Sequence, residues 1–193
     1  TGAADVRTGV GFYDHLLTSF AHHGLIDLVI TASGDLEVDE HHTVEDVALV
    51  LGAALGEALG DRAGIARFGD ASVPMDEALA TAIVDVGGRP YAVVGLPFRG
   101  EMIGALPTQL VDHALEAFAR ASGLTVHLRA SGRNDHHLAE AAFKALARAL
   151  RVAVRGARGR GTPHQLPPAR APRRNAAVAA RLHRPAARLL PEP

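Results

Sequence analysis

The chain has 193 residues, a formal net charge of −1 and 48% hydrophobic residues, which suits one large domain or two small fused ones. It contains no cysteine, which excludes disulfide bonds and thiolate metal sites. No apolar run approaches the ~20 residues of a membrane helix, and no secretory signal is recognised, so we expect a cytoplasmic protein without a membrane partner.

The first predicted elements follow Asp14 and His15. An apolar helical pattern comes first and stops at a glycine, which is typical of helix C-termini. Alternating apolar and polar residues over 25–31 then predict a strand. After a turn, a longer amphipathic helix is predicted to begin at the histidine pair 41–42, because apolar residues recur there at spacings of three and four.

Residues 112–140 repeat the landmarks of residues 14–45 in the same order. Each segment begins with Asp-His, passes through Gly-Leu and Ala-Ser-Gly, and ends with His-His-x-x-Glu, which indicates an internal repeat. Between the two copies, apolar segments at 79–86 and 90–94 flank two glycines, which predicts a β-hairpin. The sequence therefore predicts a duplicated α+β fold.

The duplicated His-His-x-x-Glu motif predicts metal binding. Residues three and four apart share a helix face, whereas adjacent imidazoles point about 100° apart, so that one pair can reach two ions. A lone motif of this kind is usually a solvated helix face, but two copies favour a metal site. Ligands without sulfur suit manganese, iron or zinc. The predicted ligands are His15, His41, His42, Glu45, His113, His136, His137 and Glu140.

Three basic residues are candidates for binding an anionic substrate. Arg67 and Arg89 stand in loop or turn segments, where a guanidinium can grip phosphate at two points, although a surface arginine is the commoner explanation. Lys144, the only lysine, follows the second motif's glutamate by four residues and shares its helix face. The histidines at 22–23 have no counterpart in the second copy and are interpreted as structural or surface residues, and His127 in its predicted strand is not expected to be a ligand.

Six segments together resemble imidazoleglycerol-phosphate dehydratase. The resemblance extends from residue 1 to about residue 154, and its motifs are specific to that family. The segments are GVGFYDHLL (9–17), DEHHTVEDVALVLGAALGEALG (39–60), RFGDASVPMDEAL (67–79), DVGGRPY (85–91), TQLVDH (108–113) and HHLAEAAFKALARALR (136–151).

The resemblance implies an internally duplicated two-layer α/β sandwich, with helices packed between two mostly four-stranded sheets. The domain is expected to occupy 1–154, with repeat halves at about 1–90 and 91–154. It also implies self-association into trimers and a 24-subunit shell. Two Mn²⁺ ions per active site are expected, held by the predicted ligands of adjoining subunits.

The implied reaction is the dehydration of D-erythro-imidazole glycerol phosphate to imidazole acetol phosphate in histidine biosynthesis, with the substrate bound as imidazolate between the two Mn²⁺ ions. Glu45 and Glu140 are the candidates for moving the proton. The residues that match substrate-binding positions are His15, Arg67, Arg89, His136, His137, Glu140 and Lys144.

The chain departs from the family at both ends. The family's first strand, which carries a glutamate to the substrate, is expected to be absent because Thr1 corresponds to a position after it, and no Ser-x-Lys follows residue 154, so impaired activity is expected. The tail 155–193 holds nine arginines against one acid and is predicted to be disordered. An out-of-frame translation explains this composition best. A lineage-specific linker and an arm that binds nucleic acid are the alternatives, although no nucleic-acid partner is predicted for the protein.

Two other functions are compatible with the motifs. A different binuclear metallohydrolase would use a bridging hydroxide on a phosphate ester, and the same ligands would serve it. A metal-clamped structural shell or pseudoenzyme would bind metal without turnover. Analysis of products and of metal content separates these from a dehydratase.

Overall fold

A computed structural model describes residues 1–156 and the backbone of a further strand at 176–182. Its helices are α1 (Gly11–Gly24), α2 (His41–Leu59), α3 (Thr108–Ser122) and α4 (Asp135–Ala153). Its strands are β1 (Ala4–Arg7), β2 (Ile26–Ala32), β3 (Phe68–Met75), β4 (Ala78–Asp85), β5 (Tyr91–Gly95), β6 (Met102–Ile103), β7 (Leu106–Pro107), β8 (Thr125–Ser131) and β9 (Ala176–Leu182).

Two sheets are built around equivalent central strands. In the first, of order β1-β2-β9, β2 runs parallel to β1 and antiparallel to β9. In the second, of order β3-β4-β8-β5, β8 runs parallel to β5 and antiparallel to β4. The predicted α+β sandwich, internally duplicated, is confirmed, with three strands in one sheet and four in the other among the residues described.

The helices pack so that the two repeats interlock. α1 of the first repeat contacts α4 of the second, and α2 of the first contacts α3 of the second. α4 also covers β3 and β4. With few aromatic residues available, small side chains fill much of the core, which allows the helices to approach closely; buried alanines of α4 include Ala141, Ala145 and Ala149. None of the helices in the described part of the chain has the length and apolar character of a membrane span.

The predicted hairpin of 79–86 with 90–94 is wrong. β4 and β5 lie on opposite sides of β8, which pairs with both. The hairpin that forms is β3–β4, where Met75 pairs with Ala78 and Asp76 turns the chain with a φ of 48°. Glycines indicate a change of chain direction but do not specify which strand becomes the neighbour. In the structure a strand distant in sequence, β8, lies between β4 and β5.

The sheets also bear on the predicted domain organisation. β3 and β4 belong to the second sheet, whereas β9, at 176–182, belongs to the first, so the sheets do not divide the chain at a single point. The predicted repeat halves at about 1–90 and 91–154 stay a prediction. Within the tail 155–193, the structure describes only 155–156 and the backbone of β9. The predicted disorder and the origin of the tail otherwise concern residues outside those described, and they stay predictions.

Two glycines of α2 offer a matched test of the helix packing. A Cβ at Gly52 would lie 2.6 Å from the Phe118 carbonyl oxygen of α3, whereas a Cβ at Gly56 would meet nothing closer than the Ser122 oxygen at 3.5 Å. We expect Gly52→Ala to lower the free energy of unfolding by about 2 kcal/mol. Gly56→Ala should leave it unchanged or raise it by up to ~1 kcal/mol, because alanine favours helix. Urea unfolding monitored by circular dichroism measures both, and equal effects of the two substitutions would contradict the close contact of α2 with α3.

Candidate metal centre

The first group of candidate ligands, the α1–α4 cluster, consists of His15, His136 and Glu140. His15 Nε2 lies 2.9 Å from Glu140 Oε2, and His136 Nε2 lies 3.1 Å from the same oxygen. One ligand atom from each residue falls within 4.8 Å of the others. His136 and Glu140 meet because they are i,i+4 neighbours on α4, and the packing of α1 on α4 brings His15 to them.

The second group, the α2–α3 cluster, consists of His41, Glu45 and His113. His113 Nε2 lies 3.2 Å from Glu45 Oε1, and His41 Nε2 lies 3.9 Å from Glu45 Oε2. The buried Nε2 of His113 makes no hydrogen bond to any described residue. A buried polar atom that lacks a hydrogen bond carries a free-energy cost, and a cation held between this nitrogen and the Glu45 carboxylate would remove that cost.

Each cluster combines the two repeats in the same way. The His-x-x-x-Glu pair of one repeat meets the histidine of the Asp-His pair of the other repeat. The structure thus brings together six of the eight predicted ligands. His42 and His137 lie outside both clusters and hydrogen-bond Asp35 and Glu77 instead, as expected for a ring that points about 100° away from its neighbour.

Glu140 is held as a carboxylate. Its side chain is buried, with the residue 7% exposed, and Lys144 Nζ lies 2.7 Å from its Oε1. Burial raises the pKa of Glu140, but the hydrogen bonds from Lys144 and His15 outweigh it and lower the pKa to about 2. Glu140 is therefore ionised throughout the physiological range and is available as an anionic ligand.

A pocket opens beside the α1–α4 cluster. It is lined by His15, His22, His23, Glu140 and Lys144, among others. Burial, and after it the charge of Lys144, lowers the pKa of His23, so the ring is neutral at pH 7. The histidines at 22–23, interpreted from the sequence as structural or surface residues, lie on the wall of this pocket, with His22 exposed and His23 half-buried. Their spacing from His15, seven and eight residues along α1, places them beside it on the helix surface.

The two candidate arginines lie elsewhere in the same chain. Arg67 pairs with Asp85 through Nε at 2.7 Å and Nη2 at 3.1 Å, and its backbone N–H bonds to the Ala153 carbonyl at the end of α4. Since Glu140 precedes Ala153 by more than three helical turns, ~20 Å of helix separates Arg67 from the α1–α4 cluster. The hydrogen bonds of Arg67 lower the pKa of Asp85 against the effect of burial, and the charge of nearby Arg89 adds to this. Within one chain, Arg67 therefore lies far from the α1–α4 cluster.

Asp112, which precedes His113, gives the metal-free protein a pH dependence. Its Oδ1 is buried without a hydrogen bond in the described part of the chain, and burial, with the charge of Glu116, raises its pKa from 3.8 to about 6. A raised pKa means that ionisation costs stability in the folded state, so the free energy of unfolding should fall as pH rises from about 4 to 6. We expect Asp112→Asn to remove this fall and to be more stable than wild type at pH 7. Chelator-treated samples unfolded in urea at pH 4, 5, 6 and 7 test it, and parallel pH profiles would refute the assignment.

Comparison with known proteins gives consistent similarities. The family model of imidazoleglycerol-phosphate dehydratase matches residues 8–150. The chain is 56% identical over 155 residues to the imidazoleglycerol-phosphate dehydratase of Methanococcoides burtonii, covering 80% of this chain and 81% of that protein. It is also 56% identical to that of Methanothermobacter thermautotrophicus over 155 residues, covering 80% of each. The crystal structure of the Staphylococcus aureus dehydratase superposes with a TM-score of 0.76 at 38% identity, covering 80% of this chain and 88% of that one. The Pyrococcus furiosus dehydratase in complex with (S)-C348 gives a TM-score of 0.72 at 38% identity, covering 81% and 86%.

Proposed function

The chain belongs to the imidazoleglycerol-phosphate dehydratase family, and we propose that its two clusters bind divalent cations, Mn²⁺ in particular, for the dehydration of imidazole glycerol phosphate to imidazole acetol phosphate. Membership makes the protein a hydro-lyase of histidine biosynthesis that acts on a small molecule. The observation that carries the metal proposal is that each repeat completes the other's ligand set in both clusters.

The chemistry of the donors supports a divalent ion. Each cluster offers two imidazole nitrogens and one carboxylate oxygen, a sulfur-free set that suits manganese, iron or zinc. The ionised, buried Glu140 and the Nε2 of His113, which lies 3.2 Å from Glu45 Oε1 without a hydrogen bond among the described residues, are both groups that a cation would stabilise. Three protein ligands leave coordination positions for substrate and for a ligand from another chain. We therefore propose that His42 and His137 reach the clusters of neighbouring copies when the chain associates into trimers and a 24-subunit shell.

The reaction is difficult because the hydrogen to be removed is not acidic. Bound divalent ions supply Lewis acidity that stabilises the substrate imidazole as an anion. The imidazoles of His15 and His136, with the carboxylate of Glu140, would hold the imidazole ring of the substrate against α1 and α4. Glu45 and Glu140 are the two candidates for moving the proton, and the low pKa of Glu140 makes that residue a poor proton carrier near neutral pH.

The pocket next to the α1–α4 cluster suits the phosphate of the substrate. Lys144 lies on its wall beside Glu140, and an ammonium group binds phosphate as a point charge. Neutral His23 can donate a hydrogen bond there. Arg67 lies about 20 Å along α4 from Glu140 in its own chain, and Arg89 lies near the same Asp85, so we propose that both contact a substrate bound to a neighbouring copy.

Product analysis and metal analysis on one sample test the proposed function. The protein, purified with Mn²⁺, is incubated with imidazole glycerol phosphate, and imidazole acetol phosphate and inorganic phosphate are quantified separately. We expect the acetol product, its loss on chelation and its return with Mn²⁺ but not with Ca²⁺. Release of inorganic phosphate would identify a metallohydrolase instead. Stoichiometric metal without any product would identify a structural shell, and the rate itself measures the impairment predicted from the sequence.

A further inference from the structure

The second histidine of each pair has the same kind of partner. His42 Nδ1 lies 3.1 Å from Asp35 Oδ2, and His137 Nδ1 lies 2.8 Å from Glu77 Oε2. In both imidazoles, therefore, a carboxylate faces Nδ1. A carboxylate only accepts hydrogen bonds, so each neutral ring must carry its proton on Nδ1 and keep the lone pair on Nε2.

The two carboxylates come from places in the chain that the repeat does not relate. Asp35 lies in the loop between β2 and α2, seven residues before its histidine. Glu77 lies in the β3–β4 turn, 60 residues before its histidine. Duplication of an ancestral segment accounts for His42 and His137 but not for these partners. Both histidines have a carboxylate at Nδ1 although the two carboxylates are not related by the repeat. This indicates that the function of the two rings requires the hydrogen bond to Nδ1.

Glu77 is the more firmly held of the two. Its Oε1 accepts hydrogen bonds from the backbone N–H groups of Arg133 at 3.0 Å and Asn134 at 2.8 Å. Asn134 in turn caps α4 by accepting from the backbone N–H groups of His136 and His137. The Glu77 carboxylate thus connects the β3–β4 turn to the start of α4, and the same carboxylate orients the ring of His137.

The orientation agrees with the ring atoms used in the clusters. His15, His136, His41 and His113 all direct Nε2 toward the cluster carboxylate. A proton fixed on Nδ1 makes Nε2 the free atom of His42 and His137 as well. Near His137 Nε2 the carboxylate of Asp76 lies at 3.6 Å, which is beyond hydrogen-bond distance.

We propose that Glu77 and Asp35 are positioning residues, which hold His137 and His42 as the Nδ1–H tautomer so that Nε2 is presented to a divalent cation. The inference rests on the proposed function, since the cation is the one assigned there. It extends that function by giving a role to two carboxylates that bind neither metal nor substrate. Partners of this kind raise the basicity of a metal-bound imidazole, and their loss typically weakens metal affinity 10- to 100-fold.

The tautomer is tested first, in metal-free protein, by ¹⁵N NMR of labelled histidines. We expect His137 and His42 to show a protonated Nδ1 in the wild-type chain. Asp35→Asn should convert His42 to a mixture of tautomers, and Glu77→Gln should do the same for His137. Glu37→Gln, an exposed carboxylate two residues from Asp35, is the matched control and should leave both rings unchanged.

Mn²⁺ affinity is measured next on the same proteins by electron paramagnetic resonance of the free ion. We expect 10- to 100-fold weaker binding in Asp35→Asn and in Glu77→Gln, and no change in the control. Glu77 also holds backbone groups, so circular dichroism checks its fold, while Asp35, with fewer contacts, gives the cleaner variant. Unchanged tautomers, or Mn²⁺ affinities within twofold of wild type, would overturn the proposal. A wild-type chain that binds no Mn²⁺ would sink the proposed function instead, and the tautomer measurement would still decide the positioning role.

Discussion

Replacing Glu140 with Gln is expected to lower kcat/KM for imidazole glycerol phosphate by at least about 1,000-fold, equivalent to about 4 kcal/mol of transition-state stabilisation. Glu140 accepts from His15, His136 and Lys144 at once. An amide of the same shape removes the negative charge from the centre of the cluster. It also leaves a partly buried ammonium beside the cluster without its ion pair, which repels a cation.

Steady-state kinetics and metal analysis on the same preparation measure this effect. Glu45→Gln, the equivalent change in the α2–α3 cluster, is expected to cause a loss of similar size. Glu57→Gln, on an exposed position of α2, is the control and should retain wild-type kcat/KM. A Glu140→Gln protein that keeps both full activity and full metal content would rule out Glu140 as a ligand.

The duplicated motifs predicted the candidate ligands but not how the structure groups them. Helical spacing alone places Glu45 with His41 and Glu140 with His136. It does not reveal that each pair is completed by a histidine of the other repeat, because that depends on α1 packing against α4 and α2 against α3. The sequence therefore predicted the types of ligand, whereas the interlocked arrangement of the repeats depends on tertiary packing.

Contacts that depend on non-local pairing were the ones that the sequence did not predict. Glu77 meets His137 only because the β3–β4 hairpin forms, and the sequence predicted a different hairpin. The glycines at 87–88 gave a clear turn signal, whereas no local pattern announces that β8 will separate β4 from β5.

Chelation is expected to lower the stability of the protein as strongly as any single core substitution. Each cluster joins a helix of one repeat to a helix of the other, so a bound ion links the two halves of the domain. A ligand that binds only the folded state stabilises it by about 4 kcal/mol per site when its concentration is 1,000 times Kd. Two sites then correspond to a fall in Tm of more than about 15 °C on metal removal, at fixed protein concentration.

Differential scanning calorimetry with and without chelator measures the fall, and sedimentation velocity on the same samples reports the assembly. Glu140→Gln makes the test specific, because it removes one site and keeps the other. On chelation, the Tm of the variant should therefore fall by roughly half as much as the Tm of the wild type. If chelation leaves the wild-type Tm unchanged, the interlocked helices hold the fold by packing alone, and the six clustered side chains do not bind a metal ion.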